Sequence, residues 1–555
     1  MSAVVLSGGH ILSASGSLYA AGSISNPLLD APWFGTNASG GDQSYGSNQG
    51  GFGGATGYTT ANSGTQAYAA VQALGRNRLV VGLGGSFESW GTSGTGRNKA
   101  DLVSAIKSQG TFPNVINVTH GCYVFPYAIY ESQQNLTTGA AYQQYCTLVI
   151  NNNWWLYEST GGAGTMEPSA ASGSGWFNVN YSYAWPGAAG TVPQGFTICG
   201  NAYGTQSNSQ GPARTAAQYF VNLLLTTNRT ADARFTTLAT NGAAPNADGL
   251  NVDNLFCYPN AGGNLSTSAS WDGQNLQTNA TVAVYPSGAS SLMADGQTQF
   301  FATFQNFLGT VNPGRSYINF GNFGSYANVT DNGDTHTATG NAMDGILGGG
   351  WLESVAGVAS FGWQVRMTAT QILANIDYGI GYLQAPFILG VGVRLPSTDG
   401  STTASFLTGG TVQTVTAGTA LEYQLMRCMA ALVHMRNAYM LASTSLYDYS
   451  LIRWYDEAGD DSLTQVNVKV GWLGPTLAAA VTLASGVMVR AYKNGCVAFN
   501  PWGNGTVNVT NSQLSAVTGR NQKFIAGTQQ PTINSGASYS SYTFLDGDGL
   551  FLLYA

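Results

Sequence analysis

The chain has 555 residues, of which 74 are glycine, nearly twice the usual share of about 7%. Only 8% of its residues are charged, 44% are hydrophobic and 12% are aromatic, and the net charge is −7. This composition excludes a disordered chain, which needs more charge and fewer aromatic residues, and it excludes a coiled coil. The sequence has no cluster of Lys and Arg to neutralise phosphates and no apolar run of about 18 residues. We therefore expect neither a nucleic-acid partner nor a membrane span.

The first 75 residues are rich in Gly, Ser, Asn and Tyr, and 39–58 is close to low complexity. Such a composition is typical of a long loop or of an extension that docks on a partner. We interpret 1–75 as an N-terminal arm that packs on the next domain or on another chain, in a homo-oligomer or in an assembly with other structural chains. The N-terminus lacks the Lys or Arg and the apolar core of a secretory signal.

From residue 76 onward, short apolar runs alternate with segments of helical periodicity, which include 368–376 and 420–438. This alternation is typical of a parallel sheet with crossover helices. Seven or eight such units favour an α/β fold, a (β/α)8 TIM-like barrel over 76–458. The predicted strands are 78–84, 115–124, 154–158, 249–256, 316–320, 345–352 and 386–393, with an eighth near 439–446.

After about residue 460 the helical pattern stops and apolar residues alternate with a period of two. Glycine, asparagine and proline separate the alternating segments, as expected for antiparallel strands. We predict a C-terminal antiparallel β-sandwich domain over 459–555. Its predicted strands are 466–470, 487–492, 496–499, 506–510 and 550–553.

Several kinds of catalytic chemistry lack their sequence signature. The four histidines show no HExxH spacing and the six cysteines form no CxxC pair, so we predict no metal. The sequence has no GxSxG elbow of an esterase or protease, no phosphate loop and no dinucleotide fingerprint, so we predict no cofactor. The cysteines allow up to three disulfides, and buried free thiols are an equal alternative.

In a barrel of this kind, catalytic groups project from the carboxyl ends of the strands. Asp253 closes the strand that begins at Gly249, and Asn251 lies on the same face of that strand. Glu353 lies near the end of another strand, beside Trp351 and a run of three glycines that lets a ligand approach the backbone. Glycoside hydrolysis needs two such carboxyl groups, one protonated and one ionised. We predict Asp253 and Glu353 as the catalytic pair. The alternatives are a structural hydrogen-bonding role for Asp253 and a helix N-terminal acid for Glu353.

Polar and aromatic residues around the same strand ends are candidates for substrate binding. Tryptophan suits sugar rings because both have an apolar face and a polar edge. Structural alternatives are a core position for a tryptophan, loop capping for an asparagine and a buried structural role for a histidine. The predicted substrate-binding residues are Glu158, Asn251, Asn254, Asn319, Trp351, Trp154, Trp155 and His120.

Four segments resemble a family of glycoside-hydrolase-like barrel proteins from bacteria and phages. The DGLNVDN stretch at 248–254 is similar to the family's DG…DN barrel strand, and LGPTL at 473–477 is similar to its link to the tail domain. The stretch 490–501 resembles its R-x-[FY]-x-N-G-x-V-x-x-N-P hairpin, and 546–554 resembles its last sandwich strand. The resemblance implies the barrel and sandwich folds, places the family's strand-end acid at Asp253, and has Asn254 follow it.

Two functions from different classes fit these patterns. The first is a glycoside hydrolase-like protein that acts on or binds a cell-surface polysaccharide by two-carboxylate acid/base chemistry. The second is a non-catalytic structural protein of a virion or appendage that uses the barrel as a scaffold or carbohydrate-binding module. Scarce charge and a polar surface rich in Asn, Ser and Thr favour an extracellular or virion-associated location for either function.

Overall fold

The structure is a computed structural model. It describes residue 364, residues 367–383, 388–443, 453–458 and 473–555, and, before these, residue 77 and the short strands β1 to β14. Helix α1 spans Ala369–Tyr382 and helix α2 spans Ala420–His434. The strands up to residue 443 are, in chain order, β1 Val4–Leu6, β2 His10–Leu12, β3 Phe34–Asn37, β4 Leu79–Val81, β5 Ile116–His120, β6 Tyr127–Ile129, β7 Tyr157–Ser159, β8 Met166–Pro168, β9 Trp176–Asn178, β10 Thr197–Ile198, β11 Asn201–Ala202, β12 Gly249–Val252, β13 Ile318–Phe323, β14 Gly345–Trp351, β15 Ile388–Arg394, β16 Ala404–Thr408, β17 Thr411–Val415 and β18 Ala438–Ser443.

Eight of these strands pair side by side, all in parallel, and close into a ring in the order β3-β4-β5-β12-β13-β14-β15-β18. Closure comes from β18, which pairs with β3 so that Met440 aligns with Phe34. Because the strands are parallel, all eight carboxyl ends lie at the same end of the ring. This is the end at which the predicted catalytic residues follow their strands.

Seven ring strands overlap the strands expected from the sequence, and the eighth does not. That strand, β3, lies inside the segment that we assigned to an N-terminal arm. It has only four residues, FGTN, and it lacks the alternating apolar pattern that predicts a strand. Its hydrogen-bonding partners on both sides are distant in sequence, so only ring closure defines it. The predicted strand 154–158 is instead represented by β7, which pairs antiparallel with β8 outside the ring.

Two connections of the ring contain helices among the described residues, α1 between β14 and β15 and α2 between β15 and β18. Helix α1 begins with a capping box, in which the Thr368 hydroxyl accepts from the Gln371 backbone N–H and the Gln371 side chain accepts from the Thr368 N–H. Both helices lie where the sequence predicts helices, at 368–376 and 420–438. The (β/α)8 assignment as a whole stays a prediction.

Helix α2 is covered on nearly all sides. Every residue from Leu425 to Val433 is buried, including Arg427. A helix that is buried all round must pack on two layers. One layer is the ring, through β18, and the other is the C-terminal domain, the residues 473–555.

The C-terminal domain consists of two antiparallel sheets and one helix. A five-stranded sheet has the order β19-β20-β21-β25-β23, and a two-stranded sheet pairs β22 with β24. Alternate residues of the larger sheet, such as Val489, Ala498 and Leu550, share one buried core with Val509 and Phe544 of the smaller sheet. The elements are β19 Val481–Thr482, β20 Met488–Ala491, β21 Gly495–Asn500, β22 Val507–Thr510, helix α3 Asn511–Thr518, β23 Gln522–Phe524, β24 Ser541–Phe544 and β25 Asp548–Tyr554.

Helix α3 was not expected from the sequence. Its residues, NSQLSAVT, bury only Leu514, so they carry no helical apolar period. Local capping defines it instead: the Thr510 hydroxyl accepts from the Gln513 N–H, the Gln513 side chain accepts in return, and Gly519 ends the helix with φ of 73°.

The outer face of β25 packs on α2. Gly549 lies so close to the helix that a Cβ there would overlap the carbonyl of Arg427 and the Cβ of Ala431. Two residues further along, the Phe551 ring meets the His434 ring edge-on, with centroids 5.1 Å apart, and lies 6.2 Å from the ring of Phe34. The C-terminal domain, α2 and the first ring strand therefore share one packed contact.

Candidate functional site

Three predicted site residues lie in ring strands at or near their carboxyl ends. His120 is the last residue of β5, and Asn251 of β12 is its neighbour in the register. Asn251 also aligns with Phe320 of β13 on its other side. Trp351 is the last residue of β14. The backbone thus places His120 and Asn251 side by side, and Trp351 at the same end of the ring.

Two further candidates lie elsewhere. Asn319 is the second residue of β13 and aligns with Leu250, one position before the Asn251 level. Glu158 lies in the β7–β8 pair, opposite Glu167, and so does not end a ring strand. An apolar run that ends in an acid fits a two-stranded hairpin as well as a barrel strand.

The remaining candidates, Asp253, Asn254, Glu353, Trp154 and Trp155, lie outside the described residues. In the sequence, Asp253 directly follows the last residue of β12, and Glu353 comes two residues after the last residue of β14. One strand, β13, separates these two strands in the ring.

Strand β14 is irregular near its carboxyl end. Gly348 aligns with Val391 of β15, but the next aligned pair is Trp351 with Gly392, so two residues of β14 have no counterpart. Such bulges are frequent at barrel rims and next to functional sites, because they redirect the residues that follow. The irregularity coincides with the three consecutive glycines of the sequence.

The connections after β14 and β15 are tied together by one buried amide. The Gln364 Nε2 donates to the Leu407 carbonyl at 2.8 Å, and the Gln364 Oε1 accepts from the Leu407 N–H at 2.8 Å. Leu407 belongs to the hairpin formed by β16 and β17, hereafter the β16–β17 hairpin. Gln364, which precedes α1 in the connection between β14 and β15, is thus tied to the connection that follows β15.

The turn of the β16–β17 hairpin touches the C-terminal domain. Gly409 and Gly410 form the turn, with φ of 59° and 74°, the left-handed values that a two-residue hairpin turn requires. The Asp546 carboxylate accepts from the Gly409 N–H at 2.8 Å, and the Asp546 carbonyl accepts from the Thr408 hydroxyl. The C-terminal domain therefore holds part of a connection that starts at the carboxyl end of the ring.

A buried ion pair joins α2 to β25. The Arg427 guanidinium donates to the Asp548 carboxylate at 2.7 Å and 3.1 Å, and the Tyr542 hydroxyl donates to the other carboxylate oxygen at 3.0 Å. Glu457 lies in the same cluster, and one of its carboxylate oxygens has no hydrogen-bond partner. Burial raises the pKa of Glu457 above its usual range, although the charge of Arg427 acts in the opposite direction.

A second buried carboxylate lies at the start of α2. Glu422 accepts from the Arg453 guanidinium at 2.9 Å, from the Tyr455 hydroxyl at 2.7 Å and from the Gly418 N–H. Burial raises the pKa of Tyr455 well above its usual value, so the phenol stays a donor. All polar partners of this carboxylate come from the chain itself, and it acts as a structural acid.

Comparison of the sequence with known proteins finds no relatives. No family model matches the chain, and no curated protein matches it. The resemblance to glycoside-hydrolase-like barrel proteins therefore stays a prediction that rests on the four segments quoted above.

The described residues include no cluster of three or more His, Cys, Asp or Glu side chains that could hold a metal ion. Cys428 and Cys496 are buried free thiols, and burial raises the pKa of Cys496 to about 12. Among the helices that the structure describes, none is long and apolar enough to cross a membrane. Sequence reasoning missed Gln364, Asp546 and the ion pair of Arg427 with Asp548, because their partners lie 43 to 137 residues away and no local pattern marks them.

Proposed function

We propose that this chain is a glycoside hydrolase-like protein that acts on or binds a cell-surface polysaccharide, with Asp253 and Glu353 as the acid/base pair. The observation that carries the proposal is the position of these acids relative to the ring. Asp253 follows β12 and Glu353 follows β14, two parallel strands with one strand between them.

The spacing of the strands suits two-carboxylate chemistry. Neighbouring strands lie about 4.8 Å apart, so β12 and β14 are roughly 10 Å apart around the ring. Inverting glycosidases hold their carboxyl groups about 6.5–9.5 Å apart, and retaining ones about 5 Å apart. Side chains that lean toward each other from strands 10 Å apart can reach either separation. In this proposal one acid has a raised pKa and protonates the leaving oxygen, and the other attacks the sugar or activates water.

The surrounding residues support binding of a sugar at the same end of the ring. The backbone brings His120 and Asn251 to neighbouring positions, and the bulge in β14 precedes Trp351 and Glu353. In this proposal Asn254, Trp154 and Trp155 complete the polysaccharide site. The N-terminal arm, apart from β3, contacts another copy or a structural partner, in an extracellular or virion-associated setting.

Release of reducing sugar from a panel of bacterial polysaccharides tests the proposal. We expect the wild type to release sugar, and we expect Asp253→Asn and Glu353→Gln to lower the rate about 100- to 10,000-fold with unchanged melting temperatures. The matched control is Asp248→Asn, at the amino end of the same strand, which keeps the wild-type rate. An Asp253→Asn protein with full turnover would refute the catalytic assignment. Binding of a polysaccharide without turnover by the wild type would instead favour the non-catalytic scaffold.

A further inference from the structure

The β16–β17 hairpin follows the carboxyl end of β15 and is fixed at two points. Close to its turn, the Leu407 backbone of β16 is tied to Gln364, and the turn itself is tied to Asp546 of the C-terminal domain. We propose that Asp546 is a positioning residue that fixes the β16–β17 hairpin and thereby shapes the polysaccharide site at the carboxyl end of the ring. The link to the polysaccharide rests on the proposed function, whereas the fixing of the hairpin does not.

Asp546 connects three parts of the molecule at once. One carboxylate oxygen accepts from the Gly409 N–H of the hairpin turn at 2.8 Å, and the other accepts from the Gly505 N–H of the C-terminal domain at 2.8 Å. Its carbonyl accepts from the Gln424 amide of α2 at 2.9 Å. Asp546 is 9% exposed, so these bonds are shielded from competing water.

The residue after Asp546 is closely packed against the hairpin. Gly547 has φ of 65°, and a Cβ at that residue would lie 3.3 Å from the ring of Phe406 in β16. Phe406 itself is fully buried. Strand β16 therefore lies too close to Gly547 to leave room for a side chain there, next to the hydrogen bonds of Asp546.

The outer strand of the hairpin is free to meet a ligand. Residues 411–414, which are Thr, Val, Gln and Thr, are all exposed, and among the strands that the structure describes β17 pairs only with β16. Hydroxyl and amide groups on an extended strand are suitable partners for sugar hydroxyls, and Val412, 47% exposed, offers an apolar contact. A hairpin that is already fixed in its bound position loses less conformational entropy when a ligand binds. Fixing the hairpin is the role that we assign to Asp546.

The test is Asp546→Asn in the full chain. The amide nitrogen would face either the Gly409 or the Gly505 N–H, so one of the two hydrogen bonds is lost in either orientation. Asp399→Asn is the matched control, because Asp399 lies in the same connection and its exposed carboxylate bonds Ser401 within that connection. Amide hydrogen exchange is measured in the hairpin and in β21, and KM, Kd and kcat are measured with the polysaccharide.

In Asp546→Asn we expect hairpin exchange at least 10-fold faster, unchanged exchange in β21, and KM or Kd raised at least 10-fold with kcat unchanged. Asp399→Asn leaves both exchange rates and KM, Kd and kcat at wild-type values. Unchanged hairpin exchange in Asp546→Asn would overturn the positioning role. Faster exchange with unchanged KM and Kd would overturn the link to the site. If the wild type binds no polysaccharide, the proposed function and the link fail together, and hairpin exchange still decides whether Asp546 fixes the hairpin.

Discussion

The buried ion pair between Arg427 and Asp548 predicts that Asp548→Asn, a small chemical change, lowers the free energy of unfolding substantially. Asp548→Asn keeps the shape of the side chain but removes the charge that faces Arg427, whose side chain is 4% exposed. Breaking a buried pair by removing one partner costs about 3–5 kcal/mol, because the remaining charge is left uncompensated. The asparagine oxygen still accepts from Arg427, so we expect the lower end, about 3 kcal/mol, or roughly a 100-fold smaller folding constant.

The chain supplies a matched control for this substitution. Arg436 and Asp377 form a pair of nearly the same length, 2.6 Å against 2.7 Å, but their side chains are 28% and 51% exposed. Asp377→Asn should cost only about 0–1 kcal/mol, since water screens an exposed pair. The free energy of unfolding of both variants is measured by urea denaturation at low and high salt. High salt should reduce the smaller cost and leave the larger one almost unchanged.

Equal costs for the two substitutions would refute the reasoning, because a charge left unpaired in a buried site must cost more than one exposed to water. A second check uses the double variant Arg427→Met/Asp548→Asn, which removes the uncompensated charge. We expect it to be more stable than Asp548→Asn alone. If the double variant were less stable than Asp548→Asn, the loss of stability would come from lost packing of the Arg427 side chain and not from an uncompensated charge.

Two further predictions concern the same junction. Burial raises the pKa of Glu457, so its contribution to stability is full below the ordinary pKa of 4.5 and is lost as pH rises through the raised pKa. The melting temperature of Glu457→Gln minus that of the wild type should therefore increase from pH 4 to pH 8. A constant difference would contradict this. Gly549→Ala should lower the free energy of unfolding by about 2–3 kcal/mol, in the upper part of the range for overpacking, because its Cβ overlaps the backbone carbonyl of Arg427. Gly503→Ala, where nothing lies within 4 Å of the new Cβ, should cost about 1 kcal/mol through its positive φ alone, and equal costs would contradict the overlap.

Local sequence determines much of the C-terminal domain. The alternating segments 487–492 and 496–499 predict strands, and the structure has β20 and β21 there, paired antiparallel on either side of residues 492–494. Alternation marks these strands because one face is buried in the core, which requires apolar residues at every second position. The apolar periods of α1 and α2 predict those helices for the same reason.

Only the tertiary structure decides which segments meet. Ring closure recruits Phe34–Asn37, a segment without a strand pattern, because β4 and β18 supply its hydrogen-bonding partners. The bonds from Asp546 to the hairpin and from Arg427 to Asp548 join residues more than 120 positions apart. An acid in the sequence has the same appearance whether its partner is water, a sugar or an arginine of another element. The sequence therefore determines most of the described ring strands, helices α1 and α2, and the residue types that suit carbohydrate chemistry. The fold decides where β3 pairs and which acids are enclosed by the chain's own donors.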